Sequence, residues 1–286
     1  MESKADQFSY KEPEQSRLTR ALLNTIETMT GRRKLHKLYH RLDPDLSINV
    51  WEQIIQVLDV KLDFNPPGLD AIPEHGPLVV VANHPFGVLD GVIVNYLVSK
   101  RRQRFKILTN NALCAIPGVA EYFLPVSFAE TREALTLNIQ TRKTALDMLQ
   151  SGEAIIIFPA GAVSTSRKLF GPAVDSEWKS FTSRLIQKSR ATVVPIYFQG
   201  QNSRVFQIAS HISNRLRLSL LLGEMHNKIG QSIRFHIGQP MSAESLSMYH
   251  SRDQLIQYLQ TYTYSLSGMI TRQIQPQGEL SHPNPY

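Results

Sequence analysis

The sequence predicts an α/β fold with a mixed, mainly parallel sheet flanked by helices and an N-terminal helical appendage. Three observations carry that reading. Runs such as Leu78-Val79-Val80-Val81-Ala82 are apolar without interruption, as strands covered on both faces are. Stretches of helical length and period separate such runs. The first part of the chain shows helical spacing only.

Taken in order, residues 1–16 are polar, contain Pro13 and have no apolar period, so they read as a flexible tail. Leu18, Leu22, Ile26 and Met29 recur at helical spacing, and Gly31 is a C-terminal stop. Residues 32–42 place Leu35, Leu38, Tyr39 and Leu42 on one face, with Arg32, Arg33, Lys34, Lys37 and Arg41 on the others. Such a helix either lies on an anionic membrane surface or packs on the core with its basic residues solvated. A third helix over residues 48–60 turns Ile48, Trp51, Ile55 and Leu58 inward, and Asn65-Pro66-Pro67-Gly68 breaks the pattern. Strands are expected at 78–82, 105–109, 123–126, 154–158, 192–198 and 233–237, with helices at 90–100, 131–150 and 177–188. Ser251-Arg252-Asp253-Gln254 resembles a capping box and opens a last helix bearing Leu255, Leu259, Tyr262 and Leu266. The organisation is a tail at 1–16, a helical membrane-facing region at 17–72, an α/β domain at 73–274 and a disordered tail at 275–286.

Composition limits the function classes. Of 286 residues, 42% are hydrophobic and 19% charged. Those shares suit a globular chain. The single cysteine, Cys114, excludes an internal disulfide, fits a reducing compartment and reads as a small core residue. Apolar runs fall far short of the roughly 20 residues that span a bilayer. The opening Met1-Glu2-Ser3-Lys4-Ala5-Asp6 is no secretory signal. The net charge of +7 favours an anionic partner: nucleic acid, an anionic membrane or a phosphorylated substrate. Nucleic acid would rest on charge alone, since no basic and aromatic run accompanies it.

Three strand ends carry candidate chemistry. Val81-Ala82-Asn83-His84-Pro85-Phe86-Gly87-Val88-Leu89-Asp90-Gly91 follows the first buried strand. Pro85 and Gly87 force a tight turn there, so His84 leaves the sheet at its edge and Asp90 returns from a helix start. A carboxylate on one imidazole nitrogen fixes the tautomer, and the other nitrogen can then remove a hydroxyl proton. This is the His-Asp part of a triad in which a substrate hydroxyl replaces the serine. Both residues are expected at a solvent-accessible strand end; taken bare, His84 could equally be structural. The second block, Phe158-Pro159-Ala160-Gly161-Ala162-Val163-Ser164, runs into Arg167 and Lys168. It reads either as a site for phosphate or a developing oxyanion, or as a plain turn. The third, Thr192-Val193-Val194-Pro195, suggests a sheet edge or a bend beside an apolar groove.

Together these blocks resemble the phospholipid and glycerol acyltransferase superfamily, most closely its bacterial hemolysin-like or lyso-ornithine-lipid acyltransferase branch. Gly31-Arg32-Arg33-Lys34-Leu35, Gln201-Asn202-Ser203-Arg204 and Asn227-Lys228 extend the similarity over roughly residues 20–245. The resemblance implies a glycerolipid acyltransferase-like fold peripheral on the inner, cytoplasmic face of the cell membrane. It implies transfer of an acyl group from an acyl carrier protein or coenzyme A thioester to a lysolipid hydroxyl, with no metal or other cofactor. His84 and Asp90 become catalytic; Asn83, Arg132, Pro159, Gly161, Ser164, Arg167, Lys168 and Pro195 become substrate-binding.

The chain departs from the family pattern in three places. Five residues, Pro85 to Leu89, separate His84 from Asp90, one more than the usual motif. Ala160, Ala162 and Val163 stand where Phe-Pro-Glu-Gly-Thr-Arg-Ser has Glu, Thr and Arg, which weakens a glycerol phosphate acceptor and favours a lyso-aminolipid. Arg167, Lys168 or Arg204 would have to replace those groups for a phosphate. After Leu124-Pro125-Val126, the arginine available for the middle motif is Arg132. The lost turn-block residues also leave open a catalytically degenerate lipid- or membrane-binding protein on the same fold.

Overall fold

The computed structural model describes residues 49–64, 68–115, 118–168, 170–212 and 214–268. The tails at 1–16 and 275–286 and the basic stretch at 32–42 lie outside them. In chain order the main elements are α1 (Val50–Val57), β1 (Lys61–Phe64), β2 (Leu78–Ala82), α2 (Val88–Ser99), β3 (Phe105–Asn110) and β4 (Phe123–Val126). There follow α3 (Arg132–Gln150), β5 (Ala154–Ile157), β6 (Thr165–Ser166), β7 (Ala173–Val174), α4 (Phe181–Ser189) and β8 (Thr192–Phe198). The chain continues through α5 (Arg204–Ile212), α6 (Asn214–His226), β9 (Ser232–Ile237), α7 (Ala243–Leu246) and α8 (Arg252–Ser265).

A seven-stranded sheet, in the order β1-β9-β8-β2-β5-β3-β4, forms the centre. β2 lies between β8 and β5, parallel to both, and β3 and β4 extend the parallel set. β9 runs antiparallel to β8, and β1 is parallel to β9, so the sheet is mixed and mainly parallel. Alternation along β2 sends Leu78, Val80 and Ala82 into a core with Trp51 of α1 and Ile93 of α2. Val79 and Val81 face Leu149 of α3, Leu185 of α4 and Leu259 of α8. Both faces are covered, which is why the run is apolar throughout. Among the described residues no helix is long and apolar enough to cross a membrane.

Four expectations change. β1 falls inside the segment 17–72 read as helical, yet it pairs with β9 and belongs to the sheet. Its Lys61 and Asp63 are exposed, and Asp63 meets Arg234 at 2.7 Å, so the strand lacks an apolar signature. α5, α6 and the short β6–β7 hairpin are not expected from the sequence; Leu216, Leu218 and Leu220 of α6 alternate as strand residues would. α4 begins at Phe181 rather than 177, because Lys179 N first donates to Pro159 O at 2.9 Å. Pro195 is not at an edge, for β8 is an interior strand. Val193 exchanges both backbone bonds with Met241, and Pro195 O accepts from Gly238 N at 2.8 Å. Residues 193 and 195 point the same way, so the N–H that proline lacks faces the break beyond β9 and not β2.

Candidate active site

The parallel strands β8, β2, β5, β3 and β4 all end on one edge of the sheet, and the candidate residues gather there. His84 stands two positions past β2, and its Nδ1 lies 3.1 Å from Asp90 Oδ2. The turn explains how the long spacing closes. Gly87 has φ 75°, and a Cβ there would lie 3.0 Å from Leu221 Cδ2 and 3.2 Å from Val163 Cγ2. Only glycine fits such a position. This bend lets Phe86 N and Gly87 N donate to Asp90 Oδ2 at 2.9 and 3.0 Å while Asp90 sits in the first turn of α2. One carboxylate oxygen thus caps the helix and holds the imidazole. The ring stacks on Phe158 with centroids 4.0 Å apart, and 18% of the His84 side chain remains exposed.

Asp90 itself is fully buried, contrary to the solvent-accessible position expected of it. Burial raises its pKa above the ordinary carboxylate value, against the lowering effect of His84 and the two amides. Its other oxygen, Oδ1, is buried without a hydrogen-bond partner among the described residues.

A second buried carboxylate, Asp175, is missed by sequence reasoning. Its Oδ1 accepts from His84 N at 3.2 Å and from the Ser164 hydroxyl, and its Oδ2 accepts from Trp178 Nε1 at 2.8 Å. Asp175 N donates to the Tyr264 hydroxyl at 2.7 Å, and Ser164 N donates to His84 O at 2.8 Å. Asp175 therefore ties the end of β2, the turn after β5 and α8 into one unit. Burial raises its pKa as well, and burial followed by the charge of Asp175 raises that of Tyr264. The only trace in the sequence is an acid three residues before a tryptophan at the mouth of a helix.

The other expected site residues divide. Asn83 is buried with its amide spent on β8: Nδ2 donates to Phe198 O at 2.9 Å and Oδ1 accepts from Phe198 N at 2.7 Å. Ser164 is buried with its hydroxyl on Asp175. Both side chains brace the strand ends through these bonds. Pro159 and Pro195 are buried in the frame, while Gly161 is exposed in a left-handed turn at φ 71°. Arg132 is exposed at the start of α3, and Arg167 and Lys168 are exposed on the β6–β7 hairpin. Cys114 is half-buried rather than in the core, and burial raises its thiol pKa. Around the site, Phe86 lies under the ammonium of Lys228, 4.8 Å from its ring centre, and against Gly200, where a Cβ would come within 2.8 Å of it. Gln201 Oε1 accepts from Ala173 N at 2.9 Å, so the Gln201-Asn202-Ser203-Arg204 segment fastens the hairpin.

Chemically, the arrangement offers a partly exposed imidazole whose Nδ1 is committed to a carboxylate, leaving Nε2 to exchange a proton with a bound hydroxyl.

Comparison with known proteins adds to this geometry. A family model described as "Acyltransferase" matches residues 52–271. The "Lyso-glycine lipid O-acyltransferase" of Phocaeicola vulgatus is 28% identical over 233 residues, covering 77% of this chain and 78% of that protein. The protein of the same name from Bacteroides thetaiotaomicron is 27% identical over 236 residues, covering 77% and 80%. Among solved structures, that of the 1-acyl-sn-glycerophosphate (LPA) acyltransferase PlsC from Thermotoga maritima aligns with a TM-score of 0.47 at 16% identity, over 90% of this chain and 99% of that one.

Proposed function

Because the chain belongs to the acyltransferase family and is an enzyme that transfers acyl groups, we propose that it is a lysolipid O-acyltransferase acting on an acceptor with an amino-acid headgroup, such as a lyso-glycine lipid. The observation that carries the reaction is the 3.1 Å contact between His84 Nδ1 and Asp90 Oδ2 at the mouth of the parallel sheet. His84 Nε2 takes the proton of the acceptor hydroxyl as its oxygen attacks the carbonyl carbon of an acyl thioester. The C–O bond forms, the C–S bond breaks, and the departing thiolate takes the proton back from the imidazolium. Asp90 steadies that imidazolium and keeps the tautomer. The products are the ester and the free thiol of an acyl carrier protein or coenzyme A, with no acyl-enzyme between them.

The acceptor follows from two supports. Both similar proteins bear the name of a lyso-glycine lipid enzyme, and the turn block carries Ala160, Ala162 and Val163 where the superfamily has Glu, Thr and Arg. A headgroup without phosphate suits that loss. The net charge of +7 and the basic residues Arg32, Arg33, Lys34, Lys37 and Arg41 support a peripheral position on an anionic, cytoplasmic membrane face.

The test is acylation by the pure protein, given labelled acyl thioesters of carrier protein or coenzyme A and a panel of lysolipids. Product with lyso-glycine lipid ahead of lysophosphatidic acid is expected. Preference for lysophosphatidic acid overturns the acceptor, and no product with any lysolipid overturns the activity.

A further inference from the structure

Exposed large apolar side chains are unevenly placed on this protein. Among the described residues they number eight, and all but Met248 sit on elements that begin at the edge holding His84. Phe128 follows β4 with its Cε1 3.8 Å from the point where a side chain on Gly161 would start, and Leu135 and Ile139 follow on the first two turns of α3. The larger group comprises Phe170 on the β6–β7 hairpin with Val205, Ile208 and Ile212 of α5. The three α5 residues are spaced i, i+3 and i+7 and form one outward stripe, whereas Phe206, Gln207 and Ala209 face in.

Hairpin and helix form one body. Gln207 Oε1 accepts from Ser166 N at 2.9 Å, and Arg204 donates through Nη1 to Gly171 O at 3.1 Å. Phe170 at 77% exposure and Val205 at 65% therefore belong to one surface, and that surface is joined to the site through Ser164. Exposed Arg167, Lys168 and Arg204 stand among these apolar residues, and no acid occurs between Ser164 and Val174 or along α5. Single exposed apolar residues are ordinary, but a grouped set with a basic border marks an interaction surface.

We propose that the hairpin–α5 face is the surface by which the enzyme lies on an anionic lipid leaflet. Phe170, Val205, Ile208 and Ile212 enter the acyl boundary, and Arg167, Lys168 and Arg204 meet lipid phosphates. The pattern is that of an interfacial amphipathic helix, and the acid-free border is complementary to an anionic headgroup layer. The inference rests on the lysolipid reading, in that such an acceptor resides in a leaflet and must reach His84 from it.

The test places a reporter in the surface by Phe170→Trp, in the full chain. The native Trp51 and Trp178 are each 2% exposed and give a constant blue background. With vesicles of phosphatidylglycerol and phosphatidylcholine, the added indole should shift to the blue and be quenched by brominated lipid, and vesicles of phosphatidylcholine alone should give a much smaller change. The combined variant Val205→Ser, Ile208→Ser, Ile212→Ser should bind anionic vesicles about tenfold more weakly or worse. It should keep the wild-type rate on detergent-dispersed lysolipid. Protein that floats with vesicles while the added indole stays green and unquenched docks through another region, such as residues 32–42, and overturns the proposal. An indole already shielded without vesicles shows the face covered by this chain or a second copy, and overturns it too. Absence of acylation even in detergent would instead sink the lysolipid reading, so the two failures are separate.

Discussion

Two buried carboxylates hold His84, and they hold different parts of it. Asp90, in the first turn of α2, receives the imidazole Nδ1 and two turn amides on a single oxygen, and its other oxygen has no partner among the described residues. Asp175, beyond the hairpin, uses both oxygens: one for His84 N and the Ser164 hydroxyl, the other for the Trp178 indole. The difference decides what each can tolerate. An amide in place of Asp90 can keep its oxygen on all three donors, with its NH2 at the buried position of Oδ1, so those three hydrogen bonds survive while the charge is lost. An amide in place of Asp175 must set an NH2 against an N–H or against the serine. Asp90 therefore binds the ring and the turn through one oxygen, and Asp175 binds backbone, serine and indole through both.

Substitution should separate the two acids. The largest effect is expected at the residue both acids serve: His84→Ala should lower acyl transfer at least ~100-fold with little change in melting temperature. Full activity in that variant would remove the comparison altogether. Next, Asp90→Asn should lower kcat about 30- to 100-fold, since the partner that orients and steadies the imidazolium loses its charge. Its stability carries a sign as well. Burial raises Asp90 above its ordinary pKa, so its contribution to folding is full below about pH 4 and is lost as pH rises through the raised folded value. The melting temperature of Asp90→Asn relative to wild type should thus rise with pH; a fall would contradict the burial argument. The smallest catalytic effect, about tenfold in kcat with KM held, is expected for the positioning residue in Asp175→Asn. That variant should also lose about 1–3 kcal/mol of stability from unpaired buried donors and shift Trp178 emission, a signature absent from Asp90→Asn.

The same contrast separates what the chain's order of residues reveals from what it hides. β2, β5 and β8 are legible because burial on both faces demands unbroken apolar runs. β1 is not, since an edge strand with Lys61 and Asp63 outward looks like a loop, and α6 is not, since its leucines keep a strand's period. His84 and Asp90 are legible because one turn carries both, and the extra residue is absorbed by Gly87 at positive φ. Asp175 contacts a histidine 91 positions away, and no local pattern encodes a contact of that span. Asn83 and Ser164 stand in the right place with their polar atoms already committed to backbone and carboxylate. A sequence shows which residues reach the strand-end edge, but tertiary hydrogen bonds decide which of their polar atoms are already engaged.

The direct test of the central claim is the protonation of the two His84 nitrogens in the free enzyme, read by nitrogen NMR on histidine-labelled protein. Nine histidines are present, so His84→Gln identifies the signal by its loss. With the ring neutral, the proton should sit on Nδ1, facing Asp90, and Nε2 should carry the shift of a bare nitrogen ready to accept from a hydroxyl. A proton on Nε2 with Nδ1 bare would contradict this mechanism, because that ring could not take the acceptor's proton.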